Sequence, residues 1–405
     1  MALSPRSSDH IGERIRRHRE RGGRTQEVIA GLAGISTDYL GQIERGRKTP
    51  STKVTRALAT ALGVPVGALL GDDATPTSSG AVSPPVSGDR LALALMSGGG
   101  SAVEITELSE RTETAWRIWH GSGHRYSDLL PSLPELIADT EATLRARRHD
   151  PARRHLNIVA SDLYGLVRTV TRRVGRSDLS FLVADRGLRA AEDADDPIRL
   201  AVARWNLGHV LLLSGEYEAA IELAGTAAET LLADTGPTAA ALAMTGALEL
   251  VAAVAEARSG RLWEVRERLN TAQPLTAAAR EAGVVGHTMF GSVNIGLHAI
   301  AIELQAGDAL EALRIAEHLD TSECPSVEWR FTFALDLAHA YELRRQETGS
   351  LLHLLDAERV APEDLRYNPT AQAMVTRLIR NSRSGIHRTQ ALGLADRMGL
   401  SPDPV

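Results

Sequence analysis

The sequence predicts an all-α protein in two parts. A small basic head of five helices spans residues 1–70, and a long repetitive helical body spans 103–405. A flexible linker over 71–102 joins them. Three observations lead to this reading. Ala and Leu dominate while aromatic residues make up only 4%, which favours helices packed closely through small side chains. Glycine interrupts helical apolar patterns at 175, 215, 260 and 307, at intervals of 40, 45 and 47 residues, as turns between paired helices do. Between head and body the composition changes to Pro, Ser, Thr and Gly at a density that cannot bury a core.

In the head, Ile11 to Arg21 reads as the first helix, with Ile11 and Ile15 on one face, Asp9 as its cap, and Gly22 and Gly23 ending it. Thr25 caps the second helix, which begins at Gln26. In QEVIAGLAGISTDYLGQIER (Gln26–Arg45) the apolar positions are Ile29, Ala33, Ile35, Leu40 and Ile43. Two short helices crossing steeply over a tight turn need this spacing. Ala30 is small where the second helix of the pair crosses the first. Gly34 can take the left-handed conformation that ends a helix. Ser36 is a good N-cap for the third helix, which runs to Arg45 and stops at Gly46. Ser51 caps a fourth helix presenting Val54, Leu58, Ala61 and Leu62, and Val66 to Leu70 forms a short fifth. Thr37, Asp38, Gly41, Gln42 and Arg45 fall on the side not needed for packing, a free polar helical face of the size that enters a major groove.

From about Ile11 to Leu70, through TQEVIAGLAGIS, DYLGQIERGRKTPS and ALGVP, the head resembles the Cro/repressor-type (XRE) helix-turn-helix family. The resemblance implies a lambda-repressor-like DNA-binding domain. It places Gln26 near a phosphate and the basic loop of Arg47 and Lys48 at the sugar-phosphate backbone, where Arg45 adds charge; Ser36 is counted with the DNA-binding residues, and Tyr39 reads as half-packed, its hydroxyl near a phosphate at most. Charge there fixes register and makes binding salt-dependent without reading sequence. Thr37, Asp38 and Gln42 are the candidates for base edges: Gln can pair with adenine, Asp can accept from cytosine N4, and Thr can touch a thymine methyl. Asp38 has a second reading, since an acid in the first turn stabilises the helix dipole whether or not DNA is present.

Within the linker, LALALM (Leu91–Met96) reads as one short helical piece able to dock on the body or assist a dimer. Trp116 and Trp119 precede the expected first body helix in YSDLLPSLPELIADTEATLRAR. Within Ala201–Asp234, Leu207, Gly208, Leu211, Gly215, Tyr217, Ala220, Ala224 and Ala227 sit at the offsets of a tetratricopeptide (TPR) repeat. The body therefore resembles a degenerate TPR-like α-solenoid, with repeats longer than the strict form. His339–Pro362 reads as a last, poorer pair and Leu378–Met398 as a terminal cap. In such a stack the first helix of each pair lines a concave face. The repeat offsets place Asp162, Arg172, Trp205, His209, Asn294 and His339 there, as peptide- or small-molecule-binding residues or as solvated and structural polar groups. His120 and His124 in WHGSGHRY read as loop histidines, because no Cys or carboxylate completes a metal site at ligand spacing.

Charge divides unevenly. Residues 1–70 carry a net +6 and the remainder −12, so a polyanion partner suits the head alone. No apolar run reaches the ~18 residues a membrane span needs, and Cys324 stands alone, so no internal disulfide can form. These features point to the cytoplasm. No nucleophile, metal-protease or phosphate-loop motif is present, so neither an enzyme nor a cofactor is expected. The layout is that of a regulator binding a double-stranded operator as a homodimer and sensing a peptide or small molecule. Alternatives are a protein–protein scaffold, or an antitoxin-like repressor whose body binds a protein partner.

Overall fold

A computed structural model describes residues 11–21, 23–46, 48, 50, 52–62, 88–148, 151–322, 324–382 and 384–400, and all regular structure in them is helical. The chain divides into two compact units, Met1–Ser79 and Gly80–Val405.

The first unit contains helices α1 (Ile11–Arg21), α2 (Gln26–Leu32), α3 (Thr37–Glu44) and α4 (Thr52–Leu62). The expected caps Asp9 and Ser51 and the fifth helix over 66–70 lie outside the described residues. Ile15, Ile29, Ala30, Leu40, Ile43 and Leu58 form its core. Thr25 Oγ1 accepts from Val28 N and Ser36 Oγ from Tyr39 N, each filling an orphan donor at a helix start. Gly34, at φ +65, carries the tight turn, and Ile35 N closes it onto Ala30 O at 3.0 Å. Helix α1 crosses α3 so closely that a Cβ on Gly12 would lie 1.8 Å from the Ile43 carbonyl oxygen.

A buried carboxylate locks three of these helices. The Glu44 side chain is 2% exposed and accepts from Arg19 Nε at 2.7 Å and Nη2 at 2.9 Å, and from Gln26 Nε2 at 2.6 Å. A buried acid held by a bidentate guanidinium is costly to break from one side, because the remaining charge stays desolvated.

In the second unit, successive antiparallel pairs are α9/α10 (Arg153–Arg173, Ser177–Ala194), α11/α12 (Pro197–Ser214, Tyr217–Thr235), α13/α14 (Ala239–Arg258, Leu262–Ala272), α16/α17 (Ser292–Ala306, Ala309–Glu317) and α18/α19 (Val327–Leu343, Glu347–Val360). Helices α5 (Gly88–Met96), α6 (Ile105–Gly121), α7 (Arg125–Leu129) and α8 (Leu133–Ala146) precede them. Helix α15 (Thr276–Ala282) intervenes, and α20 (Pro362–Tyr367), α21 (Pro369–Asn381) and α22 (Gly385–Met398) follow. Gly175, Gly215, Gly260 and Gly307 all have φ between +75 and +83. After each, the next N–H reaches back five residues, as Glu216 N does to Leu211 O at 3.0 Å, which satisfies a terminal carbonyl. The α18/α19 turn has the same geometry without glycine: Arg345 takes φ +57 and Gln346 N bonds to Tyr341 O at 2.9 Å.

The front of the body differs from the expected order of helices. Helix α5 falls on Leu91–Met96, the piece of the 71–102 stretch read as helical and able to dock on the body, and Leu91, Ala94 and Leu95 are buried in one core with Leu133, Leu136 and Ile137. The body therefore starts before residue 103, because an apolar stripe of this size is driven into a core. The first body helices are α5 and α6, with both Trp116 and Trp119 inside α6. Helix α13 is long and apolar enough to cross a membrane, but 72% of its apolar window is buried inside the body.

The body also returns on itself. Arg125 is 0% exposed, donates to Asp364 and to Glu328 at 3.2 Å, and lies over the Trp119 ring at 4.2 Å. Beside it, the Glu363 carboxylate accepts from Tyr126 N at 2.8 Å and Ser127 N at 3.1 Å, which caps α7 from the far end of the chain.

Candidate nucleic-acid interface and ligand cavity

In the head, packing decides which face of α3 remains free. Leu40, Gly41, Ile43 and Glu44 are buried, while Thr37, Asp38 and Arg45 are exposed and Gln42 is half-buried. Gln42 Nε2 donates to Asp38 Oδ2 at 2.7 Å, so the two candidate base readers are already paired across one helical turn. The Arg45 guanidinium folds back over Gly41, 3.1 Å from where a Cβ would stand. Lys48 is exposed and its Nζ sits 5.4 Å from the Tyr39 ring centroid, which leaves the Tyr39 ring half-covered. Ser36 is engaged as a cap. The Gln26 amide is engaged with Glu44, so it stands oriented rather than loose at the start of α2. Arg47 lies outside the described residues.

In the body, a cavity of about 340 Å³ opens between the first helices of the successive pairs. Arg168, Thr169, Arg172 and Arg173 come from α9; Trp205, His209, Leu212 and Leu213 from α11; Val254 and Arg258 from α13; His298 from α16; and Glu328, Trp329 and Thr332 from α18. Each set follows the one-turn spacing that puts residues on a single helical face. Trp116, Trp119 and His120 of α6 close one side. The loop after α15 closes another with His287, Thr288 and Met289.

That loop is strained where it meets the cavity. His287 and Met289, both with side chains, take φ +59 and +53, a conformation that persists only when surrounding contacts hold it. Gly286 fits against Val202, where a Cβ would lie 2.2 Å from Cγ2. His287 stacks on Trp116 at 4.2 Å with planes 5° apart, and Trp116 Nε1 is fixed by the Asp162 carbonyl at 3.0 Å.

The electrostatics are lopsided. Arg168 is 3% exposed, and Nε and Nη2 both donate to one neutral acceptor, Asn206 Oδ1, at 2.8 and 2.5 Å. Burial, and then the Arg172 charge, push its guanidinium down to about 9. Arg172 makes no hydrogen bond or ion pair among the described residues. Its side chain is accessible and lines the cavity, and burial by the surrounding walls, then the Arg173 charge, push it down to about 10. Burial opposes ionisation of Glu328, but Arg173 and Arg125 outweigh it and hold the carboxylate below its ordinary range. Burial first, then Arg168 and Arg172, keep His209 well below the ordinary histidine value, and burial lowers His298, whose Nδ1 lies 2.8 Å from Asn294 O.

The sequence-predicted ligand residues thus separate. Arg172, Trp205 and His209 share the cavity. Asp162, Asn294 and His339 do not line it. Asp162 is 7% exposed and turned into an ion pair with Arg199 at 3.0 Å. Asn294 is 5% exposed, one turn before His298, and contributes its carbonyl to that ring. His339 lies two turns past Thr332 along α18, about 10 Å further on. Sequence reading missed Arg168, Arg258, Trp116, His287, His298 and Trp329. The four-residue spacing from Arg172 to Arg168 was an available signal. His120, expected in a loop, lies in the last turn of α6 and stacks on Trp116 at 5.1 Å.

One grouping has metal-like geometry: ligand atoms of Glu113, Asp162 and His287 lie within 4.8 Å of one another. Arg199 already neutralises Asp162, which places a competing cation at that point.

Compared with known proteins, the family described as "Helix-turn-helix domain" matches residues 10–70. The transcriptional regulator ClgR of Mycobacterium tuberculosis is 40% identical over 62 residues, 15% of this chain and 55% of that protein. The chain therefore spans about half the length of ClgR. YazB of Bacillus subtilis, an uncharacterised HTH-type transcriptional regulator, is 43% identical over 53 residues, 13% of this chain and 77% of that protein. Among solved structures, the apo form of the competence regulator ComR from Streptococcus vestibularis overlaps 97% of this chain and 99% of its own, at 11% identity and a TM-score of 0.33.

Proposed function

Because the chain belongs to the helix-turn-helix-type transcriptional regulators, we propose that it is a sequence-specific, operator-binding regulator whose helical body senses a peptide or small molecule. The observation that carries this reading is the free polar face of α3. Thr37 and Asp38 stand exposed beside Gln42, while Leu40 and Ile43 anchor the helix in the head. Arg45, Arg47 and Lys48 supply backbone charge, with Gln26, Ser36 and Tyr39 alongside. The concave arginine- and tryptophan-lined cavity supports a sensing role for the body, since small-ligand sites are concave and carry few converging polar groups. The regulator acts as a cytoplasmic homodimer.

Selection of bound duplexes from a random pool tests the reading. The expected result is enrichment of a near-palindrome with half-sites about one helical turn apart, roughly 34–36 Å. Enrichment of no sequence at low ionic strength contradicts it.

A further inference from the structure

We propose that the body cavity is built for a small organic anion with a flat, aromatic or conjugated body. Its carboxylate or phosphate is held by Arg168 and Arg172, and its ring lies between the tryptophan walls. This rests on the reading of the body as the sensing unit and names the chemistry of what it senses.

The charge count is the first argument. Four guanidinium groups line the cavity, Arg168, Arg172, Arg173 and Arg258, against one carboxylate, Glu328. Glu328 is already shared, accepting from Arg173 and from Arg125 at 3.2 Å. Arg258 Nη1 spends a donor on the Leu212 carbonyl at 2.9 Å, a neutral partner. Arg168 hydrogen-bonds only the Asn206 amide oxygen, and Arg172, though it feels the Glu328 charge, makes no hydrogen bond or ion pair among the described residues. Arg168 is the desolvated one, while Arg172 and Arg258 are accessible, and a desolvated cation is normally paired, because an unpaired one is costly to keep away from water. Here the surplus converges on an empty space large enough for a ligand, about 340 Å³, at the small end of the range for small-molecule sites.

The walls give the second argument. The chain has five tryptophans, and four of them line this one cavity: Trp116, Trp119, Trp205 and Trp329. The fifth, Trp263, is 77% exposed elsewhere. Arg168 Cζ sits 5.4 Å from the Trp205 ring centroid, so cation and aromatic face adjoin. A guanidinium fork beside an indole face binds a planar acid with charge-assisted hydrogen bonds at one end and stacking at the other. The tryptophan walls and the guanidinium groups lie within one cavity of about 340 Å³, so the observations favour a small molecule.

The test uses the full-length protein and reads quenching of tryptophan fluorescence. The probes are indole-3-carboxylate and benzoate for the carboxylate, phenyl phosphate for the phosphate, and indole-3-carboxamide and benzamide as neutral counterparts. The expected result is saturable quenching by at least one anion class at millimolar concentration, with the matching amide at least tenfold weaker. Which class saturates first separates a carboxylate from a phosphate ligand. Arg172→Gln should weaken the anion at least tenfold while leaving the melting temperature unchanged or higher, since that side chain makes no hydrogen bond or ion pair among the described residues. Arg258→Gln should weaken it less. Equal binding of acid and amide, no saturable binding of any anion, or an Arg172→Gln variant that binds like the parent overturns the proposal. DNA affinity with and without the bound probe is a separate readout. Anion binding that leaves DNA affinity unchanged defeats the sensing reading while this one stands; a neutral effector that changes it does the reverse.

Discussion

The His287 ring stacks on Trp116 at 4.2 Å and nearly parallel, joining a strained loop to a helix 171 residues earlier in the chain. His120 joins the same cluster, 5.1 Å from Trp116 and 6.1 Å from His287. Neither imidazole can accept a proton without losing favourable burial. Burial lowers His120 to about 4, and burial together with the His120 charge lowers His287 to about 3.

This fixes the sign of a pH effect. Above the ordinary histidine value of 6.5 both folded and unfolded chains are neutral at these positions, and the two groups contribute no pH dependence. As pH falls below 6.5 the unfolded chain binds protons that the folded one refuses, so stability is lost down to about pH 4 for His120 and about pH 3 for His287. Each contributes a slope of at most about 1.4 kcal/mol per pH unit in that window. Asp162 and Asp336, raised by burial to about 6 and about 7, act in the opposite sense. The difference between parent and variants isolates the histidines: urea unfolding of His120→Gln and His287→Gln across pH 4.5–7.5 should give a shallower acid-side loss than the parent. Identical slopes would contradict the assignment.

Arg345 occupies the helix-ending position that Gly175, Gly215, Gly260 and Gly307 fill in the other pairs, and it is exposed. Arg345→Gly should stabilise the body by about 1 kcal/mol, because a side chain resists this backbone region. Gly215→Ala should destabilise it by a similar amount, although nothing lies within 4 Å of the added Cβ. Thermal melts of both variants check the pair of signs.

Gly12→Ala should break the head and leave the body intact. The new methyl would meet the Ile43 backbone oxygen, which no side-chain rotation can move away. Loss of DNA binding with an unchanged melting transition for the larger unit is the expected result. An unaltered DNA affinity would mean that α1 and α3 do not cross as described.

The head was legible in its sequence because everything that shapes it is local. Caps Thr25 and Ser36, the turn at Gly34 and the spacing of Ile29, Leu40 and Ile43 all act within twenty residues. The glycine turns of the body were legible for the same reason. The cavity was only partly so. Repeat offsets brought Arg172, Trp205 and His209 together, but Asp162, Asn294 and His339 follow the same helical stripes into buried or distant positions. What closes the cavity carries no local signal. Arg125 reaches Glu328 and Asp364 across 203 and 239 residues, and His287 reaches Trp116 through a loop with no regular pattern. Leu91–Met96 was legible as a helical piece able to dock on the body, but its partners Leu133 and Leu136, some forty residues on, carry no local signal of that contact.

The central claim is that the outward face of α3 reads base edges, and Gln42 tests it most directly. Affinities of the parent and Gln42→Ala should be compared on the selected duplex and on random DNA at one fixed salt concentration. The account predicts that the variant loses about 1–3 kcal/mol of discrimination between the two duplexes while its affinity for random DNA is retained. Unchanged discrimination would contradict it, because the amide that pairs with Asp38 in the free protein would then make no contact with a base.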